Sequence, residues 1–184
     1  MTSERGILKT PRLTFVMWDE GDAALVQRLH STMATTRYLS GNAPWSLAKA
    51  EERLQGWFEE QARDGTTKYK LIAEDGSFIG RAGISRFRSE EFELGYSLCE
   101  EAWGKGLATE AAGALTDWFF DRRFASGFIA FTHPENTASQ RVLRKIGMCE
   151  RGPILIDGMP GLAFELTADM RPAGLNFLRR LAGH

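Results

Sequence analysis

The sequence is short of what several classes of protein depend on. Its 184 residues hold two cysteines, Cys99 and Cys149, too few for a disulfide framework. Two reduced thiols are the expectation, and with them a cytoplasmic location. The histidines, His30, His133 and His184, show no metal-ligand spacing, so no metal is expected. Charge is balanced, with 23 Lys and Arg against 24 Asp and Glu and a net charge of -1. That excludes the basic field that nucleic acid or an anionic membrane surface attracts. No apolar run approaches the length of a membrane span. The opening residues, Met1-Thr2-Ser3-Glu4-Arg5, lack the apolar core of a signal peptide. Internal repeats and low-complexity linkers are absent. What remains is a chain of single-domain length, 43% hydrophobic, with enough apolar mass for a substantial core.

Periodicity divides this chain into alternating strands and helices. Residues 1–11 read as an extended lead-in and 12–18 as a first strand. Asp22 is placed to cap a helix over 23–33, with Ala24, Leu25, Leu29 and Met33 near one face. Residues 35–45 are loop-like. Ser46 opens a second helix to about residue 63, with Leu54, Trp57, Phe58 and Gln61 at helical spacing. Strands follow over 68–74, 78–87 and 92–98, with Asp75-Gly76 as a turn. Then come a helix over 107–123, a strand over 128–132, a helix over 136–146, and strands over 149–156 and 162–167 joined by Asp157-Gly158. The tail, 169–184, adds a short helix at 175–181. The order predicts one mixed α/β domain, with a core over about 8–168.

Chemistry concentrates where the 92–98 strand runs into the 107–123 helix. Gly104-Lys105-Gly106 lies between them. Glycines let the backbone turn sharply, and the first amides of a helix lack intrahelical partners. Together with the helix dipole they bind phosphate oxygens. Thr109 stands where a dinucleotide fingerprint has its third glycine, and no Gly-Lys-Ser/Thr follows. By itself the turn fits a phosphate site and an ordinary strand-to-helix connection equally.

A second stretch, His133 to Met148, decides between them. Asn136 is positioned to cap its helix and Gly147 to end it. Glu101-x-x-Gly104-x-Gly106 with Asn136-x-x-Ser139 and Lys145-x-Gly147-Met148 resembles the two motifs of the GNAT superfamily of N-acetyltransferases. Trp-Gly-x-Gly-x-Ala-Thr-Glu-Ala and Pro-Glu-Asn-x-x-Ser are most similar to the branch of ribosomal-protein N-terminal acetyltransferases. The resemblance covers about residues 8–168. It implies the GNAT fold, a mostly antiparallel mixed sheet flanked by helices, whose central fourth and fifth strands splay apart. Here those are 92–98 and 128–132. It also implies acetyl-CoA as cosubstrate. Leu98, Trp103, Gly104, Lys105, Gly106, Leu107, Ala108, Thr109, Asn136 and Ser139 are the residues expected to hold it.

The same resemblance makes Glu93 the amine-side residue, as base or as substrate contact, and Ser139 the group nearest the departing sulfur. Many members carry a tyrosine seven residues after the motif Asn, but this chain has Leu143 there. Ser139, a water or no protein group then serves the thiolate. Cys99 lacks an adjacent base and is not expected to be a nucleophile. Tyr38, Trp45, Trp57 and Phe87 line an acceptor pocket or pack in the core. The expected reaction is direct transfer of acetyl to a primary amine, a protein N-terminus or a small molecule, by a monomer or homodimer. The rival is a non-catalytic acyl-CoA-binding module, which would keep the phosphate turn and lose the amine-side chemistry.

Overall fold

A computed structural model of the chain describes residues 6–87, 91–171 and 177. Eight strands form one sheet: β1 (Gly6–Lys9), β2 (Leu13–Val16), β3 (Lys68–Ala73), β4 (Phe78–Phe87), β5 (Glu91–Leu98), β6 (Gly127–Thr132), β7 (Cys149–Ile156) and β8 (Met159–Thr167). Their order is β1-β2-β3-β4-β5-β6-β8-β7. Every neighbouring pair is antiparallel except β5 with β6. β4 and β5 pair from Gly80 with Leu98 to Phe87 with Glu91, whereas β5 and β6 meet only at Glu93 and Ile129. Beyond that point the two central strands diverge, as the resemblance implies. The lead-in is itself a strand, so they are β5 and β6 rather than fourth and fifth.

The pleat sends alternate residues to opposite faces. Tyr69, Leu71, Ala82, Ile84, Phe92, Leu94 and Leu98 enter a core with Ala111, Ala112, Leu115 and Phe119 of helix α4 (Leu107–Asp121) and Leu143 of helix α5 (Thr137–Lys145). Over the other face lie α1 (Ala23–Leu29), α2 (Met33–Thr36) and α3 (Leu47–Asp64). They enclose a second cluster of Trp18, Ala23, Val26, Ala50, Leu54 and Trp57. Trp18 stacks on the fully buried Trp57 with ring centroids 5.1 Å apart. Its indole N–H is satisfied by the Lys68 carbonyl at 2.7 Å. Truncating an aromatic such as Trp57 to alanine costs roughly 3–5 kcal/mol. No helix among the described residues is long and apolar enough to cross a membrane.

The first helix departs from the sequence reading. It stops at Leu29, and its buried face is Ala23, Val26 and Leu29, not Ala24, Leu25 and Met33. His30 turns into the core, and Thr32 starts a separate short helix by accepting from the Thr35 amide at 3.3 Å. Ser46 caps α3 through the Lys49 amide at 3.2 Å, as expected. Of the tail helix at 175–181 only Phe177 is among the described residues. Its ring lies beside Gly113, where an added Cβ would come within 2.6 Å.

Candidate active site

A cleft of about 700 Å³ opens where β5 and β6 part. One end is the expected phosphate turn. Gly104 and Gly106 both take left-handed backbone, with φ of 74° and 76°. Gly106 is the N-cap of α4, and no side chain caps that helix. The amides of its first turn therefore face the cleft without a side-chain acceptor. A brace fixes the turn from outside. Arg12 donates from Nη1 to the Lys105 carbonyl at 2.9 Å and from Nε to Glu110 at 2.6 Å. Thr10 donates to the same buried carboxylate at 2.6 Å.

Leu98, Trp103, Gly104, Gly106, Leu107, Ala108, Thr109, Asn136 and Ser139 all line the cleft. Lys105 does not; its carbonyl is spent on Arg12. Trp103 turns its indole N–H to the Leu98 carbonyl at 2.9 Å. Asn136 caps α5 by accepting from the Ser139 amide at 3.1 Å. Thr132 Oγ1, also on the wall, is buried with no partner. Arg141 and Lys145 of α5 add positive charge. An uncapped helix terminus, an orphaned hydroxyl and two cations fit a long phosphorylated ligand such as acetyl-CoA.

Sequence spacing missed the hydroxyl nearest Ser139. It is Tyr96, across the divergence on β5, at 2.9 Å from Ser139 Oγ. Burial pushes this phenol up to about 12, so it keeps its proton at neutral pH. Leu143, at the usual tyrosine position, is instead fully enclosed in the core.

At the other end stands Glu93, with its side chain 29% exposed. Lys68 reaches it from β3. The ammonium is 3.8 Å from the Glu93 carboxylate, and donates to the Glu93 carbonyl at 2.7 Å and to Ser85 Oγ at 3.1 Å. Gly95 makes the passage: a Cβ there would lie 2.9 Å from Lys68 Cε. Burial lowers the Lys68 pKa, and Glu93 opposes the shift.

Arg81 shares this face by the alternation of β4. Its Nε donates to His30 Nε2 at 3.2 Å, and its guanidinium lies over the Trp57 ring. Burial, then the charge of Arg53, brings Arg81 down to about 10, so it stays cationic at neutral pH. The same bond requires a neutral His30. Burial first, then Arg81 on β4 and Arg53 on α3, holds this imidazole near 2 rather than 6.5.

A folded-state pKa below the unfolded one means stability present above pH 6.5 and lost as pH falls toward 2. Between pH 7 and pH 5 His30 should remove about 2 kcal/mol of stability. Denaturant titrations at the two pH values should show that loss shrinking in His30→Gln, which keeps an acceptor for Arg81. An equal loss in the variant would assign the pH dependence elsewhere.

Other candidates fall into place. Tyr38 lines the cleft and stacks on His133 at 5.0 Å. Trp45 covers His30 at 4.0 Å, Trp57 is core, and Phe87 meets Phe131 at 5.0 Å. Both cysteines are free, and burial pushes the Cys99 thiol up, opposite to what a nucleophile needs.

Known proteins share this architecture. The model of the acetyltransferase (GNAT) domain matches residues 12–149. YkkB of Bacillus subtilis, an uncharacterized protein, is 34% identical over 72% of this chain and 78% of its own. Among solved structures, RimL, a ribosomal L7/L12 α-N-protein acetyltransferase in complex with coenzyme A, superposes with a TM-score of 0.75. It is 19% identical and covers 88% of this chain and 97% of its own. The aminoglycoside acetyltransferase AAC(6')-Ib with coenzyme A gives 0.72, 19% identity, 86% of this chain and 96% of its own. Likeness at that identity speaks for the fold, while the domain model speaks for the lineage: the chain belongs to the GNAT family of acetyltransferases.

Proposed function

We propose that this acetyltransferase takes acetyl from acetyl-CoA and delivers it directly to a primary amine. The observation that carries the reading is one cleft with an uncapped helix terminus at one end and the carboxylate of Glu93 at the other. The thioester supplies an already activated acyl group, so no covalent intermediate on the protein is needed. Nitrogen bonds to the carbonyl carbon and the carbon–sulfur bond breaks. Glu93 receives the amine proton directly or through a water, and Lys68 holds the carboxylate in place. The turn at residues 104–109 anchors the pyrophosphate.

On the sulfur side Ser139 and Tyr96 act as one unit. A phenol near 12 gives its proton to an alkyl thiolate, near 8.5 for cysteine, only uphill. The pair therefore stabilises the departing sulfur by hydrogen bonding rather than by full proton transfer. Losing one neutral hydrogen bond costs roughly 0.5–1.5 kcal/mol, or about threefold to tenfold in rate. Ser139→Ala and Tyr96→Phe should each slow turnover by that factor and leave acetyl-CoA affinity nearly intact. Because the hydroxyls touch, the double variant should be little worse than either single one. Fully multiplicative losses in steady-state kinetics would mean they act independently.

The deciding experiment is a screen of amines with detection of released CoA and of acetylated product by mass. Solved relatives of this fold are named for a protein α-amine and for aminoglycosides, so the panel carries N-terminal peptides and small amines. Acetyl-CoA binding with no product from any amine would favour the regulatory module.

A further inference from the structure

We infer that the acceptor is a small amine bearing an oxyanion, a carboxylate or a phosphate, and that Arg81 is the residue that receives it. The inference rests on the proposed acetylation of an amine at Glu93.

The charge lining the cleft is lopsided. Among the described residues that line it, Glu93 is the only acidic one. Arg141 and Lys145 lie on the α5 wall, where the phosphorylated donor is placed. Arg37, Arg53, Lys68 and Arg81 lie on the other side, contributed by the segment after α2 and by α3, β3 and β4. Lys68 is matched by Glu93. Arg81 is not matched. It is 9% exposed, yet among the described residues no carboxylate lies within ion-pair distance of it. Its one side-chain hydrogen bond, through Nε, goes to a neutral imidazole. Among the described residues no group accepts from its Nη atoms, and Arg81 lines the cleft.

Glu93 and Glu60 act on Arg81 only from beyond contact, and a buried guanidinium without a contacting carboxylate is costly unless something supplies one. His30 and the Trp57 face hold its plane, so the unused edge is a preset fork for a two-oxygen anion. Arg81 and Glu93 lie on the same face of neighbouring strands, Arg81 opposite Ser97 and Glu93 opposite Ser85. Four residues of strand separate them, an offset of about 13 Å along the sheet. The reach of both side chains shortens that span to the size of a small amino acid. An amine meets Glu93 at one end and an anion meets Arg81 at the other. An aminoglycoside, with several ammonium groups, meets cations instead.

The test compares kcat/KM for pairs that differ only in the anion. One series is amino acids of increasing amine-to-carboxylate distance with their amides. The other is ω-aminoalkyl phosphates with the corresponding amino alcohols, which separates phosphate from carboxylate. In the wild type the anionic member of the best pair should be favoured about tenfold or more. Arg81→Met should bring that ratio near one, and Arg81→Lys should retain part of it. Calorimetric acetyl-CoA binding checks that the variants are folded. If Arg81→Met does not fold, the wild-type ratio decides alone.

Equal use of acids and amides by the wild type overturns the inference while leaving amine acetylation standing. So does a folded Arg81→Met variant with an unchanged ratio. Better turnover of aminoglycosides or N-terminal peptides than of every small anionic amine overturns it too. Failure of all amines overturns both readings.

Discussion

Replacing Glu93 with Gln should lower turnover about a hundredfold or more while acetyl-CoA affinity stays near wild type. A positioned general base contributes on the order of 10² to 10⁴ in rate. The substitution keeps the shape of the side chain and removes its charge. Glu93 sits at the single point where β5 and β6 pair, so it marks the vertex from which the cleft opens. The phosphate turn lies at the far end of β5, past Leu98. That distance is why the two effects should separate. Steady-state kinetics across pH, with calorimetry for acetyl-CoA, make the comparison. Wild-type turnover at every pH would remove Glu93 as base and as essential contact. Equal losses in turnover and affinity would mean that the charge serves the architecture of the cleft.

Gly106→Val should act in the opposite sense, on affinity before rate. A Cβ at residue 106 would meet only the Arg12 guanidinium, at 3.7 Å, so space is not the obstacle. The obstacle is the backbone, held at φ 76°. An L-residue there costs roughly 1–2 kcal/mol, and a β-branched one is a stronger outlier. Either the turn carries that strain or it relaxes and its amides swing away from the phosphate. A loss of about 2–3 kcal/mol, or roughly thirtyfold to 150-fold in Kd, is expected. An unchanged calorimetric affinity in a folded variant would place the pyrophosphate elsewhere.

The parts of this site that the sequence displayed are those written in consecutive residues. Gly104-x-Gly106 before a helix, Asn136 three residues ahead of Ser139, and the alternation that puts Glu93 opposite Leu94 each follow from backbone geometry within a few positions. What it concealed lies across the sheet. Tyr96 and Ser139 are 43 positions apart, and His30 and Arg81 are 51. Their meeting depends on strand order and on which face each side chain takes. The break after Leu29 has the same origin. A histidine that must accept from Arg81 leaves the helical path, and local propensity around Ser31 and Thr32 carries no trace of that partner. Arg81 and Lys68 did leave a mark, as charged residues inside strands, Arg81 directly after Gly80 and Lys68 across the sheet from Gly83 and Gly95. Only the fold shows that those glycines clear a path.

The brace around Arg12 has a consequence of its own. Glu110 accepts from the Arg12 side chain and backbone and from Thr10, nearly a hundred residues away in the chain, while Arg12 also takes the carbonyl of Lys105. The corner between β1 and β2 and the rim of the phosphate turn are thus parts of one cooperative unit. Fraying of the first hairpin and loosening of the turn become a single equilibrium. By linkage, a ligand that closes the turn must slow amide exchange at the start of the chain by the same free energy that an ordered hairpin lends to the ligand.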